Sequence, residues 1–314
     1  GNFSTTPASV TEPLHVAGAP KEKGRAISMT TTSSALAAND IGALLAQHPL
    51  GWWMAGAVAF ALLGTAALTG LRSLRQHVGA PLGRVFPPQA RWVLVAAMAA
   101  SACTLVLAGA TLAELAASGS AQGYWGALDD ALAASLQAQA SAAVLQWFAT
   151  LTHLGDTWVL AALALAVAAA LWWQQHHLLA MGWLVAMAGN GALTKVLKNL
   201  FERVRPVHTH GIAEASGYSF PSGHSSASMV AYARLAYLAT RLLRRGWHLP
   251  AAMVAGALIF TTGWSRVVLQ VHYASDVLAG WLLGGTWMVC TVLIMESVSR
   301  WRSPALATAA AQRP

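Results

Sequence analysis

Charge is scarce in this chain. Eleven acidic side chains and 19 Lys and Arg among 314 residues make it 10% charged, against roughly 25% in an ordinary soluble domain. That shortage excludes an ordinary water-facing surface, and 56% hydrophobic residues with a mean hydropathy of +0.51 give the balance of a membrane protein. Cysteine is nearly missing as well. Cys103 and Cys290 both lie in apolar runs, which suits small hydrophobes and leaves no exposed pair for a disulfide or a metal site. A continuous basic stripe is also lacking: the net charge is +8, but the cations fall between apolar runs or at one cluster, which argues against a nucleic acid partner. Residues 1–50 have neither the apolar core of a cleavable leader nor an apolar period. They are expected to be a disordered tail. Because Met29 opens MTTTSSALAAND, residues 1–28 are expected to be upstream or added sequence.

Long apolar runs are what the chain has in quantity. A spanning helix takes about 20 such residues, and stretches near 51–71, 92–115, 157–173, 179–197, 223–243, 250–267 and 276–297 qualify. The fold class expected is therefore all-α, a polytopic transmembrane helix bundle of about seven spans. Positive residues near span ends stay cytoplasmic. Arg72, Arg75, Arg84 and Arg91, then Arg241, Arg244 and Arg245, then Arg300 and Arg302 share one side if seven spans alternate. Lys198, Arg203, Arg205 and Arg266 then break the rule on the outer side, where insertion disfavours cations and a functional reason is needed. Trp52, Trp53, Trp92, Trp158, Trp172, Trp173, Trp247 and Trp301 fall near span ends as an interfacial belt. Between the second and third spans, Leu128, Leu132, Leu136, Val144, Phe148 and Leu151 recur at helical spacing, with Asp129 and Asp130 at the start. This predicts an amphipathic helix on the outer surface, which either roofs a lipid entrance or simply packs on the bundle.

Three polar islands interrupt the apolar chain on that same side. KNLFERVRP carries Lys198 and Arg205, PSGH at 221–224 opens the fifth span, and SRVVLQVHYASD carries Ser265, Arg266, His272 and Asp276. Two guanidinium forks and one ammonium suit a tetrahedral oxyanion such as phosphate. Backbone amides around Ser222 and Gly223, at a loop entering a helix, point donors and the positive helix end at the same anion. His272 and Asp276 are four apart, so the carboxylate can hold one ring nitrogen protonated and leave the other as nucleophile. His224 is then available to protonate the leaving oxygen and to activate water. A metal cofactor is not required, since the cations stabilise transition-state charge.

Lys, six residues, Arg-Pro; Pro-Ser-Gly-His; and Ser-Arg, five residues, His, three residues, Asp: this order resembles the signature of the type 2 phosphatidic acid phosphatase superfamily, and every position matches. The resemblance implies Lys198, Arg205, Ser222, Gly223 and Arg266 as phosphate ligands, His224 as acid/base, His272 as phosphohistidine nucleophile and Asp276 as its partner. It implies six spans, so that the run at 51–71 is an added one, and a family core over roughly 125–297, with 51–124 holding N-terminal transmembrane helices and 298–314 a cytoplasmic tail. The expected protein is an integral membrane phosphatase of a lipid phosphate or diphosphate, at the outer face of a bacterial plasma membrane. Phosphatidate, phosphatidylglycerophosphate, polyprenyl diphosphate and lipid A phosphate all remain open as substrates. The vanadium haloperoxidases share the anion site but are soluble, so the spans argue against them. A lipid phosphotransferase with the same site, and a transporter or scaffold that only binds anionic lipid, are the alternatives.

Other polar residues have plainer readings. Lys195 snorkels to the interface. Arg203 either adds to the anion field or pairs with Glu202. His208 and His210 are solvated loop histidines, and His176 and His177 are interfacial. Arg234, ten residues into the fifth span, is read as a snorkelling or internally paired arginine rather than a substrate contact.

Overall fold

A computed structural model describes residues 1, 36–74, 91–118, 124–207, 211–213 and 215–311. Among the described residues every regular element is a helix: α1 (36–47), α2 (Pro49–Leu74), α3 (Arg91–Ser118), α4 (Tyr124–Gln139), α5 (Ala142–Thr152), α6 (Thr157–Trp173), α7 (His177–Phe201), α8 (Gly223–Leu242), α9 (His248–Val268) and α10 (Ala274–Ala311). A 3₁₀ turn at His153–Gly155 links α5 to α6, and another at Arg245–Trp247 leads into α9.

Among the described residues, five stretches are long and apolar enough to cross a membrane: Pro49–Gly70, Val95–Ser118, Ala142–Trp173, Arg245–Val268 and Ala274–Ser299. The expected spans at 179–197 and 223–243 are helical but fall outside this set, and the reason lies in what they face. On α7, Asn190 and Thr194 are buried, and on α8 so are Ser225, Ser226, Ser228 and Arg234. Asn190 Nδ2 donates to Ser226 Oγ at 3.2 Å, and the Thr194 and Ser226 hydroxyls are 3.0 Å apart. Helices enclosed by other helices can carry polar residues inward, where interhelical hydrogen bonds satisfy them. Seven crossings require both of these helices to span as well.

Glycine brings the helices close. A Cβ added to Gly280 would lie 2.6 Å from the Ser222 carbonyl oxygen, and one on Gly284 would lie 2.5 Å from that of Ser226. The spacing of four puts both on one face of α10, so α10 and the start of α8 meet backbone to backbone. That crossing draws the His272–Asp276 end of α10 against PSGH. At the other end of the bundle Arg72 of α2 lies 2.5 Å from His248 of α9, and Arg241 of α8 pairs with Glu296 of α10 at 3.0 Å.

Several expectations need correction. The tail does not extend to residue 50: LAANDIGALLAQ forms α1, whose Ala38 and Ala46 are buried and whose Gly42 comes within 2.9 Å of the α4 backbone if given a Cβ. The single amphipathic helix is two, α4 and α5, because Ser141 breaks the run and caps α5 by accepting from the Val144 amide at 3.4 Å. Its apolar stripe faces the bundle: Leu132, Leu136, Leu145 and Phe148 pack with Trp264, Val268 and Val271. Asp129 is not at the helix start but inside α4 and buried. The C-terminal segment continues α10 to Ala311. Cys103 is exposed on α3, while Cys290 is buried. Trp158, Trp172, Trp173 and Trp247 are exposed at helix ends. Residues 2–35, Arg75, Arg84, His208 and His210, and the side chains of Arg91, Trp92, Arg300, Trp301 and Arg302, lie outside the described residues.

Candidate active site

His272 stands in the turn between α9 and α10. The Arg266 carbonyl closes that turn by accepting the amides of Val271 at 3.2 Å and His272 at 3.3 Å. One edge of the ring meets Asp276, whose Oδ2 is 3.4 Å from Nδ1. The same oxygen accepts the Tyr273 amide at 2.9 Å and the Ser219 hydroxyl. On the other edge, Nε2 lies 3.1 Å from Arg205 Nη1. A guanidinium has only donors. Nε2 must therefore present a lone pair, and the ring proton belongs on Nδ1, facing Asp276. Burial pushes the imidazole pKa down to about 3, with Arg205 and Arg266 adding to the effect and Asp276 opposing it. The ring is neutral at physiological pH, with its nucleophilic nitrogen against a cation.

Behind this pair sits a second layer. Arg203 Nη1 donates to Asp276 Oδ1 at 2.8 Å and to Ser275 Oγ at 2.7 Å, while Nη2 donates to Asp129 Oδ2 at 2.9 Å. Asp129 also accepts the Ser275 amide at 3.1 Å and its hydroxyl. The guanidinium stacks over Tyr273, 4.5 Å from the ring centroid. Burial opposes the charge on Arg203, but the two carboxylates outweigh it and raise its pKa. Arg203 thus bridges two carboxylates, an arrangement that neither reading of it from the sequence contained. One buried charge would be costly alone; here three interlock.

Three further cations surround the ring. Arg205 is held by carbonyls: Nε donates to Gly217 at 2.9 Å, Nη2 to Ser216 at 3.0 Å and Tyr218 at 3.2 Å, and Nη1 to Val271 at 2.6 Å. Gly217 has φ +71°, a conformation that lets the loop turn its carbonyls onto the guanidinium. Lys198, at the last turn of α7, donates to the carbonyls of Tyr218 and Ser219, the latter at 3.3 Å. Burial, then repulsion by Arg205 and Arg266, lowers its ammonium pKa to about 8. Arg266 Nη1 donates to Thr152 Oγ1 at 2.8 Å, and its buried Nε has no partner among the described residues.

The helix mouth differs in detail from expectation. Ser222 caps α8: its hydroxyl accepts from the Ser225 amide at 3.4 Å and from the Ser225 hydroxyl at 2.9 Å. Its own amide donates to the Asp276 carbonyl at 2.9 Å. The Ser222 amide is therefore not available to an anion, because the close α8–α10 crossing consumes it. Gly223 and His224 occupy the first two helical positions, whose amides have no intrahelical acceptor. His224 Nε2 lies 3.0 Å from Asp156 Oδ1, and His153 Nδ1 lies 2.7 Å from the other oxygen of that carboxylate.

All eight residues singled out from the sequence thus gather at one end of the bundle, from α7, the following loop, the start of α8 and the α9–α10 turn. Thr152, His153, Asp156 and Ser219 join them without having been assigned a role, as do Asp129, expected only at a helix start, and Arg203, expected in the anion field or paired with Glu202. Only Arg203 gave a sequence signal, as a cation on the disfavoured side.

Comparison with known proteins decides the family. The PAP2 superfamily model matches residues 179–300. Phosphatidylglycerophosphatase B of Bacillus subtilis is 32% identical over 160 residues, which are 48% of this chain and 75% of that protein. The chain belongs to the PAP2 superfamily. Lipid A 1-phosphatase of Rhizobium etli is 33% identical over 33% of this chain and 45% of that one. Decaprenylphosphoryl-5-phosphoribose phosphatase of Mycobacterium tuberculosis is 36% identical over 33% of this chain and 56% of that one. The crystal structure of a transmembrane PAP2-type phosphatidylglycerolphosphate phosphatase from Bacillus subtilis superposes with a TM-score of 0.57 at 27% identity, covering 63% of this chain and 98% of that one. These PAP2 relatives are lipid phosphatases, and the helical fold is theirs.

Proposed function

We propose that this PAP2 protein hydrolyses a lipid phosphate or diphosphate through a phosphohistidine on Nε2 of His272. The observation that carries this reading is the ring's geometry, with Nδ1 held towards Asp276 and the Nε2 lone pair 3.1 Å from Arg205. Nε2 attacks phosphorus while the ester or anhydride P–O bond breaks, and His224 gives a proton to the leaving oxygen. Water then attacks the phosphohistidine, gives its proton to His224, and the P–N bond breaks to return the Nε2 lone pair. Lys198, Arg205 and Arg266, with the amides of Gly223 and His224, take up the charge on the equatorial oxygens. Ser222 contributes by capping the helix that presents those amides. The cations supply the charge stabilisation, so no metal takes part in either step.

The seven-span reading puts this site on the periplasmic face of a bacterial inner membrane, opposite Arg72, Arg241 and Arg245. Phosphatidylglycerophosphate is the first substrate to try, because the relative matched over 75% of its length is named for it. Phosphatidate, undecaprenyl diphosphate and a lipid A phosphate complete the panel. The test is phosphate release from that panel by purified protein in detergent, with and without a chelator. His272→Ala is expected to lose at least about 10⁴-fold in rate, and the chelator is expected to change nothing. Full turnover by His272→Ala would end the covalent mechanism, and chelator sensitivity would end the metal-free one.

A further inference from the structure

The turn between α5 and α6 reads His153-Leu-Gly-Asp156, and it lies directly against the imidazole at the head of α8. A Cβ on Gly155 would come within 3.0 Å of His224 Cδ2 and 2.3 Å of the Thr262 methyl. Only a glycine admits the ring this close. The turn is also fastened to α8 from below, because Tyr232 donates its hydroxyl to the Leu154 carbonyl at 2.6 Å. Two attachments to one helix fix where Asp156 stands relative to His224.

The carboxylate divides its two oxygens between two histidines, Oδ1 to His224 at 3.0 Å and Oδ2 to His153 at 2.7 Å. These histidines differ in exposure: the His153 side chain is 67% exposed and that of His224 21%. The other charges facing His224 are the guanidinium groups of Arg266 on α9 and Arg205 in the loop. Burial, most of all, and both guanidinium groups disfavour an imidazolium. Asp156 is the carboxylate among the described residues that favours one.

We propose that Asp156 is a positioning residue that holds Nε2–H of His224 and supports its charge as it donates a proton, and that His153 tunes it by competing for the same carboxylate. This rests on the reading of His224 as the acid. With Nε2–H held by Asp156, Nδ1 is the nitrogen that gives its proton to the leaving oxygen and later takes one from water. No net proton is consumed over the cycle, since the proton lost to the leaving oxygen is regained from the attacking water.

The test is the dependence on leaving group. Asp156→Asn keeps the shape and removes the charge. It is expected to lower kcat roughly 10- to 100-fold on an alkyl lipid phosphate, a part of the 10²–10⁴ that general acid catalysis supplies. On an aryl phosphate such as p-nitrophenyl phosphate, whose leaving oxygen needs little protonation, the loss is expected to be less than about threefold. The basic limb of the kcat profile, which reports the substrate complex, is expected to move down by about one pH unit. His153→Gln is expected to move it up while leaving the low-pH rate intact. Equal losses by Asp156→Asn on both substrates would overturn the proposal and assign Asp156 a structural role. His224→Ala separates the two readings: if it also lacks leaving-group dependence, the acid assignment of His224 fails; if it shows that dependence and Asp156→Asn does not, only the role of Asp156 fails.

Discussion

Two histidine–carboxylate pairs stand at the proposed phosphate site, and they are built differently. His272 and Asp276 have side chains 3% and 0% exposed, and the carboxylate is saturated by Arg203, Ser219 and the Tyr273 amide. His224 and Asp156 are 21% and 23% exposed, and the second oxygen of Asp156 goes to a histidine in solvent. A nucleophile needs one tautomer held still and kept dry; an acid/base group must exchange protons with water and a leaving group. The buried pair is held by Arg203, the Ser219 hydroxyl and a backbone amide, and the open pair shares its carboxylate with His153.

Removing the lock is the most damaging way to test this contrast. Arg203→Met deletes the bridge between Asp129 and Asp276 and strands two buried carboxylates. Breaking buried pairs this way costs about 3–5 kcal/mol. We expect a lower thermal unfolding midpoint in detergent together with a rate below about 1% of wild type, since Asp276 no longer has its fixed orientation. Wild-type stability in Arg203→Met would show that the second layer is dispensable. His224→Ala comes next: on a lipid phosphate it is expected to lose about 10²–10⁴-fold in kcat with little change in unfolding temperature, because the open pair carries less of the packing.

Much of the site was legible because its chemistry lies in three local motifs whose spacing is short and fixed. Lys198, Arg205, His224, Arg266, His272 and Asp276 could be named from those islands alone. What joins the islands could not be. Asp129 is more than 70 residues from Arg203 in the chain, and Asp156 is 68 from His224. Each looks like an ordinary acidic residue near a helix end until folding brings its partner to it. The fate of the Ser222 amide depended on the Gly280 and Gly284 crossing, a matter of backbone distance that no residue type announces. The span pattern is harder to read for a related reason: α7 and α8 carry buried polar residues, so these two helices look least like membrane helices although seven crossings need both.

A smaller effect concerns the cation beside the locked pair. Lys198 has a pKa of about 8, so it is charged below that pH and loses its charge as pH rises through it. His272, with a pKa near 3, stays neutral across the same range and contributes no limb there. The kcat/KM profile of the free enzyme should therefore fall above about pH 8 through weaker phosphate binding. Lys198→Arg keeps the charge to far higher pH. It is expected to flatten that alkaline fall while costing less than about tenfold at pH 7. An unchanged alkaline limb would assign the titration to another group.

The smallest effect is expected at the far side of α8, where burial without a lock can be compared directly with the site. Arg234 is 0% exposed, as buried as Asp276, yet its contacts are the Thr291 hydroxyl at 3.2 Å, the Met295 sulfur at 3.3 Å and the Tyr237 ring at 5.4 Å. Its Nε has no partner among the described residues. It is thus internally held and not snorkelling; its direct contacts are neutral and the Glu296 carboxylate reaches it only through space, beside Tyr237, whereas Arg203 has two carboxylates in contact. Replacing a poorly compensated buried charge by an apolar chain of similar length is commonly neutral or stabilising. Arg234→Met should leave turnover within about twofold and the unfolding midpoint equal or higher. A fall in the midpoint like that of Arg203→Met would show that neutral partners compensate a buried guanidinium here as well as carboxylates do, and a fall in turnover alone would tie this end of α8 to the chemistry at the other.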